Sequence, residues 1–310
     1  MKYSGSWHDF KIIATGGGEK LERWGGVYLL RPDPQAIWAP AFDFSKYKDL
    51  NAKYTRSSDG GGHWTTVKKF PDEWTVAYTP VKSEKVKSEE LRFYISPTNF
   101  KHTGLFPEQA VNWDKVFAVI ASRAKQSHGE NERAIPTQVL NLFAYTGGAT
   151  VACAKAGAHV THVDASRGMT DVCKRNCKLN DIPDNRVRFI VDDCVKFVER
   201  EIRRGKKYDA IIMDPPSFGR GANGEVWKIE TSLDYLVGKC CELLSDKPLF
   251  FLINSYTTGL QPTVIKNVLQ RNLAKLKINA NIDAYEIGLP TSESIILPAG
   301  CSCFATFSDI

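Results

Sequence analysis

The sequence predicts an α/β protein with a mostly parallel sheet, preceded by a smaller β-rich N-terminal domain. From about residue 107 onwards, apolar strand-like runs alternate with segments of helical spacing, which is typical of a parallel sheet covered by helices on both faces. In residues 1–105, short aromatic or β-branched runs alternate with glycine or proline, which favours strands. We therefore expect a β-rich domain over residues 1–105 and an α/β domain over residues 106–310.

The N-terminal part is rich in tryptophan, with five of the seven in the chain. Its helical periodicity is poor, and the two GGG runs at 16–18 and 60–62 are predicted loops. The predicted strands include GGVYLLRP, HWTTVKKF, EWTVAYTP and LRFYISP.

The second part alternates helix and strand in chain order. Its first helix, PEQAVNWDKVFAVIASRAK, has Pro107 in the first turn, where the missing N–H costs nothing. Ser166 is placed to cap the third helix. The elements that follow the first helix are the strand QVLNLFAYT, the helix ATVACAKAGA, the strand AHVTHVDA, the helix SRGMTDVCKRNCKLN, the strand RVRFIVDD, the helix VKFVEREIRRG, the strand KYDAIIMD, the helix SLDYLVGKCCELL, the strand PLFFLINSY and the helix PTVIKNVLQRNLAKL.

Two strands, in DAYEIGL and CSCFATF, are predicted to close the domain, with the segment LPAGCSCF at the edge of the sheet. The segment GANGEVWKIE (221–230) is predicted as a loop that runs into a helix. The prediction is thus seven strands in the main sheet.

The composition indicates a globular protein without export or membrane segments. Hydrophobic residues make up 43% and charged residues 25% of the chain, no apolar run is long enough to cross a bilayer, and the N-terminus lacks the apolar stretch of a signal peptide. Eight scattered cysteines then predict reduced thiols and a cytoplasmic location. The net charge of +6 permits an anionic partner without requiring one.

Polar residues follow the first three strands of the predicted sheet, at the edge where parallel sheets bind ligands. Gly147 and Gly148 open a helix whose N–H groups favour an anion, although the G-x-G-x-x-G of dinucleotide sites is absent. Asp164 ends the second strand and suits a ribose, while Asp192 or Asp193 ends the third and suits an adenine amine. Helix capping accounts for each acid equally well.

The fourth strand ends in MDPPSFGRG. Asp-Pro is an ordinary turn, because proline lacks an N–H and stops a strand. The carboxylate of Asp214 and the carbonyl of Pro215 can also hold the two hydrogens of an amine, with proline keeping the loop stiff. Taken together, the four strand ends indicate a nucleoside site beside a polar reaction mouth.

In this order and spacing, LNLFAYTGGAT, HVDAS, VDDC and DPPSFGRG resemble the motifs of the class I S-adenosylmethionine-dependent methyltransferases, and in particular the large-subunit ribosomal RNA base methyltransferases. The resemblance covers residues 100–310 and implies a Rossmann-like sheet of seven strands. It also implies that S-adenosylmethionine is the cofactor and that a base of ribosomal RNA is the substrate. An accessory β domain before the catalytic domain is common in that family, so residues 1–105 are expected to help bind the RNA. The FPEQ segment (106–109) resembles the cofactor-covering segment of that family.

The resemblance assigns roles residue by residue. The catalytic residues it implies are Asp214, Pro215, Pro216 and Phe218, with Phe218 stacking on a base flipped out of its RNA. The cofactor-binding residues it implies are Glu108, Gln109, Phe143, Tyr145, Thr146, Gly147, Asp164, Ala165, Ser166, Asp193, Cys194 and Asp214. In many amine-methylating relatives the aromatic residue follows the prolines directly, whereas here Ser217 intervenes, which leaves Phe218 as a candidate.

Two chemistries remain open for the acceptor base. Methylation of cytosine C5 needs a cysteine thiolate, which such relatives carry just after the fifth strand, where this chain has Tyr256. Cys301 and Cys303, on a late strand, are interpreted as packing residues. We therefore favour N-methylation of a purine amine.

Other functions are not excluded by the sequence. The mild net charge also suits a methyltransferase for a protein side chain or a small molecule, and a nucleoside-binding module without catalysis is a further possibility. Arg220, Trp227 and Lys228 are candidates for RNA contact, with a surface loop and one packed tryptophan as the alternative. No metal site and no membrane partner are expected, and the sequence does not indicate the oligomeric state.

Overall fold

The computed structural model describes residues 1–57, 61–80, 90–98, 101–126, 136–220 and 226–307. The N-terminal part forms a five-stranded sheet in the order β1-β2-β3-β4-β5, and a separate antiparallel pair, β6-β7. Its strands are β1 (Phe10–Gly16), β2 (Glu19–Trp24), β3 (Val27–Pro32), β4 (Ala52–Arg56), β5 (Gly62–Thr66), β6 (Trp74–Tyr78) and β7 (Leu91–Ile95).

The main sheet has seven strands in the order β10-β9-β8-β11-β14-β16-β15, of which the first five in that order are parallel. β16 runs antiparallel between β14 and β15. The predicted Rossmann-like α/β class with a β-rich N-terminal part is therefore confirmed. The strands are β8 (Gln138–Leu142), β9 (His159–Asp164), β10 (Val187–Val191), β11 (Ala210–Met213), β14 (Phe250–Ser255), β15 (Asn281–Pro290) and β16 (Ile296–Thr306).

Helices cover both faces of this sheet and give two apolar cores. One core lies between the sheet, α1, α2 and the N-terminal part, and the other lies between the sheet, α4, α5 and α6. Within the described residues no helix is long and apolar enough to cross a membrane. The helices are α1 (Ala110–Gln126), α2 (Gly148–Lys155), α3 (Arg167–Leu179), α4 (Cys194–Arg203), α5 (Ile229–Glu242) and α6 (Pro262–Lys275).

The N-terminal part packs directly against α1 and shares its core. Trp113 of α1 lies 5.2 Å from Phe93 and 5.8 Å from Tyr78, measured between ring centroids. The Tyr78 hydroxyl donates to Asp114 at 2.6 Å, and Trp7 Nε1 donates to the carbonyl of Pro107 at 3.0 Å. One buried cluster therefore contains residues of the N-terminal sheet and of the α/β part.

Two details of the sequence-based prediction are wrong. The segment LPAGCSCF lies in β16, one strand in from the edge, and β15 is the edge strand because the chain returns between β15 and β14. The described residues of the predicted 221–230 loop include a strand, β13 (Val226–Lys228), which pairs with β12 (Phe218–Arg220) in a hairpin. The hairpin is held by the indole of Trp227, which donates to the carbonyl of Pro216 at 2.6 Å.

Candidate active site

The strand register brings four predicted site segments to one edge of the main sheet. Leu142 at the end of β8 pairs with Val163 of β9 and with Met213 of β11. Val191 at the end of β10 pairs with Asp164 of β9. The residues that follow these strands are therefore neighbours, as expected at the carboxyl edge of a parallel sheet.

The turn after β8 has an unusual backbone. Phe143 and Tyr145 have φ values of 53° and 50°, and Gly147 has a φ of 87°. Left-handed conformations of bulky residues are uncommon and cost free energy, so they persist only where the surroundings impose them. The Thr146 side chain donates to the carbonyl of Gly104 at 2.6 Å and is buried. The turn is thus held in a fixed shape at the start of α2.

Two glycines allow this turn to lie close to its neighbours. A Cβ atom on Gly147 would lie 2.1 Å from Cys173 Sγ, and one on Gly148 would lie 2.7 Å from a ring carbon of Trp113. Any side chain at either position would displace the turn. The TGG sequence is therefore required by packing as well as by backbone conformation.

Asp164 connects the first turn to the second. One oxygen accepts from the backbone N–H of Tyr145 and the other from the N–H of Ser166, both at 2.8 Å. Ser166 caps α3 by accepting from Met169 N–H at 3.4 Å, and Ala165 and Ser166 are exposed. A carboxylate has further lone pairs, so Asp164 can hold these turns and still accept from a ligand hydroxyl.

The residues after β10 have clear structural roles. Asp193 caps α4 by accepting from Lys196 N–H at 2.9 Å, and the Asp192 carboxylate contacts Arg200. Cys194 is buried, and its sulfur accepts from Phe143 N–H at 3.3 Å. The capping interpretation of Asp193 therefore has direct structural support, and its role toward adenine stays a prediction.

Asp214 is a half-buried carboxyl group at the end of β11, directly before the buried Pro215. No described residue donates a hydrogen bond to its side chain. Burial, and then the charge of Glu108, raises the pKa of Asp214 to about 7. Burial also raises the pKa of Glu108. The site thus holds a carboxyl group whose pKa is about 7 and to which none of the described residues donates a hydrogen bond.

An aromatic wall stands beside these carboxyl groups. The ring of Phe106 lies 5.5 Å from that of Tyr145 and 5.5 Å from that of Tyr256. Gln109 donates to the Tyr256 hydroxyl at 2.8 Å. Burial, and then the charges of Glu108 and Asp214, raises the pKa of Tyr256. The FPEQ segment therefore does reach the mouth of the site.

Phe218, the predicted stacking residue, is exposed to solvent, whereas Trp227 of the same hairpin packs against another ring. Phe218 is 52% exposed, whereas Trp227 lies 5.5 Å from the Phe143 ring, between centroids. Ser217 shares a 2.7 Å hydrogen bond with Thr257, and Pro216 is exposed. Lys228 is exposed just before α5, and the side chain of Arg220 lies outside the described residues.

Sequence reasoning missed a buried polar network behind the aromatic wall. Asn112 Nδ2 lies within 3.1 Å of acceptors on Gln109, Asn254 and Ser302, and its oxygen accepts from the Tyr285 hydroxyl at 2.8 Å. Such a network fixes the orientation of Gln109. A single asparagine in a helix gives no sequence signal for this role, because three of its four partners lie 142 to 190 residues away.

The aromatic residues Phe106 and Tyr256 were also not predicted as site residues. Phe106 belongs to the FPEQ segment, which the sequence analysis identifies, so this motif could have indicated that Phe106 lies at the site. Tyr256 stands where the C5-methylating relatives carry a cysteine, and that position was the one reason for the sequence analysis to name it.

The donor set fits S-adenosylmethionine. A fixed turn that bares N–H groups at a helix start suits its carboxylate, and carboxylates at the next strand ends suit its ribose and amine. Gly147 and Gly148, where a Cβ would clash, permit a close approach of backbone to ligand. Among the described residues no group of three or more metal-ligating side chains is present.

Comparisons with known proteins agree with this geometry. The family model described as S-adenosylmethionine-dependent methyltransferase matches residues 28–244. Ribosomal RNA large subunit methyltransferase K of Neisseria meningitidis is 28% identical over 190 residues, which is 60% of this chain and 50% of that protein. Ribosomal RNA large subunit methyltransferase I of Salmonella arizonae is 38% identical over 96 residues, or 31% of this chain and 23% of that one. The chain thus spans half or less of these relatives.

The solved structures include a much fuller match. An S-adenosylmethionine-dependent methyltransferase from Agrobacterium tumefaciens superposes with a TM-score of 0.84 at 30% identity, over 98% of this chain and 92% of that one. The matched family model and this superposition show that the chain belongs to the S-adenosylmethionine-dependent methyltransferases, an enzyme family whose cofactor is S-adenosylmethionine.

Proposed function

We propose that this enzyme methylates a base of ribosomal RNA, and that the acceptor is an exocyclic amine, preferably of a purine. The relatives named as ribosomal RNA large subunit methyltransferases support the substrate class. The observation that carries the choice of atom is the Asp214 carboxylate, which no described residue supplies with a donor. An amine N–H of the substrate would supply this carboxylate with the hydrogen-bond donor that the described residues do not provide.

The proposed roles follow from the chemistry of each group. Bound S-adenosylmethionine supplies an electrophilic methyl group. Asp164 holds the turn that begins at Phe143 and accepts from the ribose, and Asp193 accepts from the adenine amine. Glu108 and Gln109, which lie beside Tyr256 at the mouth of the site, are proposed to cover the cofactor. Ala165, Ser166 and Cys194 are proposed to line the cofactor site through backbone atoms or shape.

Asp214 is proposed to orient the acceptor and to receive its proton. The carboxylate and the Pro215 carbonyl each accept one amine hydrogen, which directs the nitrogen lone pair toward the methyl group. A pKa of about 7 lets the same carboxyl group take the proton that the amine loses. Pro216 stiffens the loop, and Phe218, which is exposed, is free to stack on the base.

Methylation of cytosine C5 is less well supported by the described residues. A nucleophilic cysteine has to be ionised at neutral pH. Cys301 is buried. Its burial, and then the charges of Glu286 and Asp214, raises the pKa of its thiol to about 11. Its thiol donates to the carbonyl of Leu260 at 3.5 Å. This thiol is therefore a packing group rather than an attacking one.

The test is methyl transfer from labelled S-adenosylmethionine to an unmodified ribosomal RNA transcript and to bacterial large ribosomal subunits, with nucleoside analysis of the product. We expect a labelled N-methylated purine, lost in Asp214→Ala and retained in the exposed surface variant Asp246→Asn. A labelled 5-methylcytosine would overturn the choice of atom. Label in ribosomal protein instead of RNA, or in neither the RNA nor the protein, would overturn the proposal that the substrate is RNA. A cytoplasmic location remains a prediction, supported by eight buried free thiols.

A further inference from the structure

A group of basic side chains, which we call the basic cluster, lies at one end of the N-terminal sheet. Its members are Lys20, Arg31, Arg56 and Lys101. Lys20 and Arg31 are direct partners on β2 and β3, and Arg56 ends β4, the strand next to β3. The Arg31 guanidinium donates to the backbone carbonyl of Lys101 at 2.7 Å. Three strands and the 101–106 segment therefore place these cations together.

The carboxylates of the sheet compensate two of these four cations. Arg31 pairs with the buried Glu22 through two contacts of 2.6 and 2.9 Å. Lys20 pairs with Asp33 at 3.1 Å. Lys101 and Arg56 have no ion-pair partner among the described residues. Among the described residues, two of the four positive charges of the cluster are thus without an ion pair.

Lys101 is the unusual member, because it is half-buried and no described carboxylate forms an ion pair with it. Burial, and then the charges of Lys20 and Arg56, lowers the pKa of Lys101. An ammonium group that is partly removed from water and surrounded by other cations is costly to the fold. An anion bound at this point would offset both the lost hydration and the repulsion. The arrangement is therefore that of an anion site rather than of a solvated surface.

The basic cluster adjoins the mouth of the active site. His102, next to Lys101, has its ring 5.3 Å from that of Phe106, which belongs to the aromatic wall. Burial raises the pKa of Glu108, and the largest opposing influence is the charge of Lys20. The cluster is thus close enough to the reacting carboxyl groups for their charges to interact. An anion bound there would be a near neighbour of the acceptor.

An open cleft of about 480 Å³ lies along β5, next to the strand that ends in Arg56. Trp64 and Phe70 line it, and Gly62, which also lines it, is the cross-strand partner of Arg56. The Trp64 indole donates to the carbonyl of Thr98 at 2.9 Å, which fixes the ring. Cations beside a partly exposed aromatic ring form the combination that binds single-stranded nucleic acid.

We propose that Lys101 and Arg56 bind a phosphate of the RNA strand next to the acceptor nucleotide, and that Trp64 in the adjoining cleft stacks a base of the same strand. This inference rests on the proposed function, because it assigns the partner of the same site. It gives the N-terminal part a defined task, which is to hold the flanking strand while the acceptor base enters the mouth. The N-terminal part also carries most of the net charge, with 16 Lys and Arg against 12 Asp and Glu in residues 1–105.

The test separates RNA binding from methyl transfer. Binding is measured by fluorescence anisotropy with a labelled single-stranded RNA of about 12 nucleotides, a length that covers such a site. The variants are Lys101→Met, which keeps the aliphatic stem, Arg56→Ala and Trp64→Leu. The matched control is Lys11→Ala, an exposed lysine on the opposite face of the same sheet. Each variant is also titrated with S-adenosylmethionine, whose Kd we expect to stay unchanged.

We expect Lys101→Met and Arg56→Ala each to raise the Kd for RNA about tenfold and to reduce the slope of log K against log salt by about 0.7. Trp64→Leu should raise the Kd by about tenfold with an unchanged salt slope, because stacking involves no charge. Lys11→Ala should leave both quantities as in the wild type.

The outcomes distinguish this inference from the proposed function. If the wild type methylates RNA while Lys101→Met and Arg56→Ala bind it with unchanged Kd and slope, the phosphate site is wrong and the proposed function stands. If the wild type binds RNA through these residues but transfers no methyl group to it, the phosphate site stands and the proposed function is wrong. A wild type that binds no RNA overturns both.

Discussion

The substitution Asp214→Asn should make the protein more stable and less active. The asparagine keeps the shape of the side chain and removes its ionisation. In the folded protein, burial and the charge of Glu108 raise the pKa of this carboxyl group from 3.8 to about 7. Ionisation of Asp214 at neutral pH therefore destabilises the folded state, and the neutral asparagine side chain avoids this cost.

The size of the effect follows from the shift in pKa. A change of roughly three units corresponds to about 4 kcal/mol as an upper limit, since each unit is worth about 1.4 kcal/mol. Because the side chain is half-buried and water reaches the mouth, we expect about 2 kcal/mol of added stability in Asp214→Asn. A raised carboxyl pKa means that the folded state binds the proton more tightly than the unfolded state. The wild type therefore loses stability as the pH rises from about 4 to about 7, and the loss is constant above that.

The assay is urea unfolding of the wild type, Asp214→Asn and the exposed control Asp246→Asn between pH 4 and pH 9. The difference in unfolding free energy between Asp214→Asn and the wild type should grow with pH up to about 7 and then level off. Asp246→Asn should show no such growth. A difference that is independent of pH, or a less stable Asp214→Asn at pH 8, would refute the account of this carboxyl group.

Activity should change in the opposite direction. The kcat/KM of the wild type should rise as the pH increases through about 7. Only the ionised carboxylate can accept a hydrogen bond from the amine and then take up the proton that the amine loses. Asp214→Asn should lower turnover about 100-fold, in line with the loss of one preorganised polar group. A variant that is both more stable and fully active would remove Asp214 from the mechanism.

Three further predictions concern the turns and the aromatic wall. Gly147→Ala should lower the unfolding free energy by about 3 kcal/mol in the same urea assay, because its Cβ would lie 2.1 Å from Cys173 Sγ. The control Gly157→Ala, which has a similar φ but open space around the new Cβ, should lower it by only about 1 kcal/mol. Asp164→Ala should raise the Kd for S-adenosylmethionine at least tenfold by calorimetry, and an unchanged Kd would remove it from the site. Tyr256→Phe, which deletes the acceptor of a 2.8 Å hydrogen bond, should cost about 1 kcal/mol and lower kcat, and full kcat would exclude the hydroxyl from the reaction.

Most helices and parallel strands of the α/β part could be predicted because their patterns are local. The run at β11, for example, is buried at every position, and α3 begins at the serine cap that the sequence indicates. The order of the last two strands could not be predicted, since it depends on β16 pairing with both β14 and β15. Such pairing is decided by long-range packing rather than by the strand's own residues.

The candidate site divides in the same way. Gly147, Asp164 and Asp214 stand in short motifs, so the sequence pointed to them directly. The raised pKa of Asp214 depends on its burial and then on the charge of Glu108, which lies more than a hundred residues away in the chain. Likewise, the cations around Lys101 come together only once β2, β3 and β4 lie side by side, and the local sequence does not show which residues will neighbour a lysine in the fold.

The packing of Trp113 against Tyr78 and Phe93 has a consequence for how the molecule responds to its ligands. Because the two predicted domains share one apolar core, they are expected to melt in a single transition rather than in two. Any ligand that binds only the folded chain then stabilises both parts by mass action, wherever it is bound. Occupation of the cofactor cleft would protect the N-terminal strands from proteases, and an oligonucleotide on those strands would slow amide exchange in the distant parallel sheet.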